Sequence, residues 1–163
     1  MAAIGWGKPR IFIKDLDAET PAWKECPTPV ENSTKLTPTK GTKKEAPLEG
    51  GENEDVRYAK NKYELAYQIR VAKDKTMPIM HEDGIVAHKY AIAIQPEDPT
   101  VPGVMIDRST VSVEDPFTSE DGGSFTYTHD VLKPLTGKMV KWGVITVTEA
   151  SGTISAVSIA EIA

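Results

Sequence analysis

An imidazole beside a carboxylate is the plainest sequence sign of acid–base or metal chemistry, and it occurs at His81-Glu82-Asp83 and at His129-Asp130. Neighbours in a strand point to opposite faces, so His129 and Asp130 cannot serve one partner without a bulge. His129 falls in register with Phe125 and Tyr127, which reads as a histidine satisfied in a core or interface. His81-Glu82-Asp83-Gly84 reads as a solvated turn. The acidic pairs Glu97-Asp98, Glu114-Asp115 and Glu120-Asp121 offer oxygen ligands, yet none has the alternating positions and fixed glycine of a calcium loop. Three His and one Cys leave neither a four-ligand zinc cluster of the usual spacing nor an intrachain disulfide. Cys26 sits between Glu25 and Pro27 with no histidine nearby in sequence, and no serine occupies a Gly-x-Ser-x-Gly elbow. Gly50-Gly51 opens onto Glu52 and Glu54, which repel phosphate. The expectation is therefore a protein with no catalytic, metal or cofactor-binding residue. A small β-barrel hydrolase requires His81 or His129 to meet a carboxylate and a hydroxyl in space.

The elements that position these residues follow a period of two. Lys62 to Val71 places Tyr63, Leu65, Tyr67, Ile69 and Val71 on one face, and Ser124 to Val131 alternates Phe125, Tyr127, His129 and Val131 against Thr and Asp. Arg10 to Lys14, Ile85 to Gln95, Val104 to Glu114, Met139 to Thr148 and Thr153 to Ile159 are further strands, rich in Ile, Val, Thr or aromatics. Helix evidence is confined to Thr76 to Ala87, interrupted by Pro78 and Gly84. At 163 residues the chain has room for one domain. The fold class is mainly β, a sandwich or barrel-like subunit of about seven to eight strands, with one short helix and a long early loop. Residues 27 to 60 carry Pro27, Pro29, Pro38, Pro47, Gly41, Gly50 and Gly51 among many charges, and so form a long loop or arm. Residues 149 to 163 are an extra core strand, a strand paired with a neighbour, or a tail; the alternation of Ile154, Ala156 and Ser158 favours a strand.

Charge is unevenly spread. The net charge is -5, which disfavours nucleic-acid binding through a basic surface. Residues 35 to 75 hold ten Lys/Arg against seven Asp/Glu, whereas residues 76 to 135 hold three against ten. Surfaces of opposite sign let copies of one chain meet head to tail, a contact that closes into rings or continues as a filament. Met1 to Lys14 contains no long apolar run, and no stretch of about 18 apolar residues occurs, so a cytoplasmic protein with no membrane partner is expected.

Several phrases carry a resemblance. Gly5-Trp6-Gly7-Lys8-Pro9-Arg10-Ile11, Pro29-Val30-Glu31-Asn32-Ser33-Thr34-Lys35-Leu36, Thr39-Lys40-Gly41-Thr42-Lys43-Lys44-Glu45-Ala46, Glu49-Gly50-Gly51-Glu52 and Val140-Lys141-Trp142-Gly143 resemble the major tail tube proteins of long-tailed bacteriophages. The likeness covers most of residues 1 to 148. It implies a β-sandwich or barrel-like subunit with one flanking helix, related in architecture to the tube protein of type VI secretion systems. It also implies hexameric rings stacked into a tube for DNA, other phage tail proteins as partners, and a virion tail assembled in the host cytoplasm. The family's long early loop reaches the neighbouring ring, which places Lys40, Lys43, Lys44, Glu45, Glu49, Glu52, Glu54, Asp55, Arg57 and Lys60 at the stacking contact. A net negative subunit suits passing DNA, because a basic wall would hold phosphates. The alternative is a monomeric β-sandwich ligand-binding or adhesion module with Trp23, Trp142 or Tyr90 as a stacking platform.

Overall fold

Side chains alternate across a strand, so a strand buried on both faces must separate two cores. The first strand does this. In the computed structural model, which describes residues 7–71, 73 and 77–162, strand β1 (Arg10–Asp15) buries Ile11, Phe12 and Ile13 in succession. Ile11 and Ile13 join a core with Leu65, Tyr67, Ile69, Ile92, Ile106 and Tyr127, while Phe12 joins a second with Ala93, Met105, Ile145 and Val157. Each such side chain contributes about 1.5–3 kcal/mol by leaving water, so both cores matter to stability.

The remaining strands are β2 (Trp23–Glu25), β3 (Lys35–Thr39), β4 (Lys43–Pro47), β5 (Asn53–Tyr58), β6 (Lys62–Arg70), β7 (Ile85–Gln95), β8 (Gly103–Glu114), β9 (Phe117–Thr118), β10 (Gly122–Val131), β11 (Lys141–Ala150) and β12 (Thr153–Glu161). Ten form one antiparallel sheet, ordered β2-β1-β7-β8-β10-β6-β3, with β11 and β12 branching from β8 and β9 from β10. The branch point is the long strand β8. Its start, Gly103 to Met105, pairs with β11, and its later part, Ser109 to Glu114, pairs with β10. The sheet curls into a half-barrel that brings β12 near β2. Arg10 fastens this curl by bonding Glu25 at 2.9 Å and Glu149 at 3.4 Å.

The mainly β expectation holds, with twelve strands among the described residues where seven to eight were expected. The short helix is absent: among the described residues no helix forms. Within Thr76 to Ala87, Thr76 lies outside the described residues, and the rest runs through bends into β7. Pro78 removes a donor there, and Asp83 and Gly84 adopt positive φ of 51° and 86°, which no right-handed helix accepts. Residues 27 to 60 hold β3, paired to β6, and then a separate two-stranded sheet made of β4 and β5. Residues 153 to 161 form β12, antiparallel to β11. No helix in the described residues is long and apolar enough to cross a membrane.

Candidate functional site

The hairpin β4–β5 stands apart from both cores. Its alternation is charged on charged, so neither face has enough apolar surface to be drawn onto the body, and every residue of both strands is exposed. The ladder sets Lys43 opposite Tyr58, Lys44 opposite Arg57, Glu45 opposite Val56, Ala46 opposite Asp55 and Pro47 opposite Asn53, leaving Glu54 as the extra residue of a bulge. Directly opposed residues share a face. One face therefore carries Lys43, Glu45, Val56 and Tyr58, and the other carries Lys44, Ala46, Asp55 and Arg57.

Geometry is fixed at both ends of this arm. At the tip, Leu48 N–H donates to Glu52 O at 2.7 Å and Gly51 N–H to Leu48 O at 3.1 Å; Gly50 and Gly51 take the positive φ, 92° and 90°, that the turn demands. At the base, Gly41 N–H donates to Asn61 Oδ1 at 3.1 Å, and Ala59 N–H to Thr42 O at 2.9 Å. A Cβ on Gly41 would lie 1.9 Å from Ala59 O, so only glycine permits this approach.

The ten residues expected at the stacking contact thus all belong to the arm or its base. Cations cluster toward the base: Lys40 precedes Gly41 with its Nζ 4.6 Å above the Tyr58 ring, Lys60 lies on the return to β6, and Lys43, Lys44 and Arg57 occupy the stem. Glu49 and Glu52 occupy the tip turn, with Glu54 and Asp55 just beyond it. Lys43 Nζ meets Glu45 Oε1 at 2.6 Å, an exposed pair in which each partner favours the other's charged form.

The histidines separate cleanly. His129 is fully buried between Tyr67 Oη at 3.0 Å from Nε2 and Ser109 Oγ at 2.9 Å from Nδ1. Ser109 donates its one proton to Tyr90 O at 2.8 Å, so Nδ1–H must donate to Ser109 and Nε2 must accept from Tyr67. Burial pushes this imidazole down to about 3. Its network holds two hydroxyls and no carboxylate, so the condition set for a hydrolase is not met at His129. His81 accepts Gly84 N–H at 3.0 Å through Nδ1, closing the turn expected there. Cys26 is buried, and burial pushes its thiol up to about 12. No group of three or more metal-ligating side chains assembles among the described residues.

Sequence spacing missed one constellation. His88 Nδ1 lies 2.8 Å from Asp15 Oδ2 although the two are 73 residues apart, and Tyr90 Oη reaches the same oxygen at 3.5 Å. Hydrogen bonding to Asp15 raises His88. Only the antiparallel pairing of β1 with β7 creates this contact, so no local pattern announces it. Of the aromatic residues considered for a stacking platform, Tyr90 is buried, against expectation, because its ring packs into the larger core. Trp23 is half-buried with Lys14 Nζ 5.9 Å from its ring, and Trp142 is exposed.

Neither a family model nor a curated protein matches this sequence.

Proposed function

We propose that this chain is a structural subunit of a phage or prophage tail tube. Copies close into rings, six to a ring by the family resemblance, and the rings stack into a conduit for DNA. In this reading the protein has no catalytic role, its partners are itself and other tail proteins, and it passes from host cytoplasm to virion tail. The observation that carries it is the free-standing β4–β5 arm. A two-stranded sheet alone is marginally stable in water, and this one leaves Leu48, Val56 and Tyr58 exposed at its tip and on one face. Such an element gains stability by lying against something, and a further copy of the chain is always at hand. The curled sheet adds to the case, because a half-barrel leaves edges that a ring of copies can cover.

Electron microscopy of concentrated protein tests the reading, with rings or tubes as the expected result. Reversing Lys43 and Lys44 together to Glu shortens the tubes while circular dichroism stays that of the folded subunit. Unchanged tube length in that double variant would remove the arm from the stacking contact. A single non-associating species at every concentration would remove the tube itself.

A further inference from the structure

The Lys44, Ala46, Asp55 and Arg57 face of the arm is an unpartnered sheet face with a specific electrostatic fault. Lys44 and Arg57 are directly opposed across the ladder, where like charges repel, and neither makes an ion pair among the described residues. The opposite fault occurs elsewhere in the chain. The corner formed by the end of β8, β9 and the start of β10 exposes Glu114, Asp115, Glu120 and Asp121, again without an ion pair among the described residues. Phe117 stands out from this corner at 76% exposure. The corner is preformed: β9 pairs with Gly122 and Gly123, Ser124 N–H donates to Pro116 O at 3.1 Å, and Asp121 N–H donates to Thr118 Oγ1 at 3.0 Å.

These two features cannot meet within one chain. The arm enters the body at the Lys62 end of β6, and the corner lies at the Arg70 end, where Arg70 Nη1 bonds Asp121 O. These ends of the nine-residue strand lie about 27 Å apart at the usual rise. The Lys44–Arg57 rung and the acidic corner are thus local patches of opposite sign attached at opposite ends of β6. A contact between unlike surfaces is heterologous, and it runs on as a stack where its rotation does not close.

We infer that the arm's Lys44–Arg57 face receives the acidic β8–β10 corner of a second copy, with Phe117 seated over Ala46, on the rung next to the two cations. This deepens the tube reading and rests on it, by naming the surface on which the arm docks. The carboxylates relieve the cross-strand repulsion of Lys44 and Arg57, and the phenyl ring covers Ala46 beside Asp55, where the neighbouring guanidinium gains an aromatic face.

Complementary reversal tests the assignment. One variant carries Lys44→Glu and Arg57→Glu; the other carries Glu114→Lys, Asp115→Lys, Glu120→Lys and Asp121→Lys. Each alone is expected to show a roughly tenfold fall in mean tube length, because every contact then opposes like charges. An equal mixture is expected to recover long tubes, because each variant's arm then faces the other's corner with opposite sign. A second readout is independent of charge: with Ala46→Cys and Phe117→Cys in one chain, mild oxidation yields a disulfide-linked ladder of subunits. Corner-reversed protein that forms tubes of native length overturns the assignment and leaves the tube standing. Two defective variants whose mixture stays defective, with no ladder from the cysteine pair, overturn it as well. Native protein that never associates overturns both readings together.

Discussion

His129 shows how a residue that looks chemical in sequence becomes structural in the fold. Its ring is held neutral by two hydroxyls in a fully buried setting, and protonation there has no counter-charge to meet. The folded imidazole titrates near 3 and the unfolded one near 6.5, so between those values the unfolded chain binds the extra proton. The His129 contribution to stability is therefore complete above 6.5 and falls as pH drops, by about 1.4 kcal/mol per unit until the folded imidazole itself titrates. Urea midpoints measured from pH 7 to pH 4 should follow that slope, and His129→Gln should flatten it. His88 has the opposite sign, since Asp15 raises it: its contribution is present at low pH and lost as pH rises through its raised value. Proton NMR should accordingly show His88 titrating above the ordinary histidine value while His129 stays neutral down to acid. Tyr67→Phe removes the donor to Nε2 and leaves a buried acceptor without its bond, with an expected cost of about 1–3 kcal/mol by chemical denaturation.

At the scale of elements, the arm is a hairpin whose backbone pairing is local and whose side chains are all exposed. Gly41 closes its base, since a Cβ would strike the Ala59 carbonyl. Gly41→Ala should displace or loosen the arm and shorten tubes, yet leave the thermal midpoint of the body nearly unchanged, because the arm contributes nothing to either core. Hydrogen exchange can check this directly: arm amides should exchange quickly in the free subunit and slowly in assembled protein. Leu65→Ala provides the contrast. It empties part of the larger core, and about 2–5 kcal/mol of stability should go with it.

For the whole molecule, two local patches of opposite sign are set apart in space. The Lys44–Arg57 rung of the arm and the acidic corner are attached at opposite ends of β6, and exposed pairs of this kind are screened by salt. Tube growth should therefore weaken steeply as sodium chloride rises from low concentration toward 1 M, while ring formation through sheet edges is less affected. Length distributions from electron microscopy across that series measure the difference.

What the chain settled locally and what it left to the fold divide along one physical line. Alternation in Lys62 to Val71 and Ser124 to Val131 dictates half-buried strands, because apolar residues two apart must share a face whatever they pack against. The register of His129 with Tyr127, the breakers in Thr76 to Ala87 and the unburied composition of residues 40 to 60 are local in the same way. Strands β2, β3 and β9 are short, and β3 includes Pro38; their pairing energy comes from neighbours distant in sequence, so no local period marks them. The fork of β8 between two partners, the double burial of β1, the meeting of His88 with Asp15 and the separation of arm from corner were decided only by tertiary structure. Each is a relation between segments far apart in the chain, and pairing register, not composition, determines it.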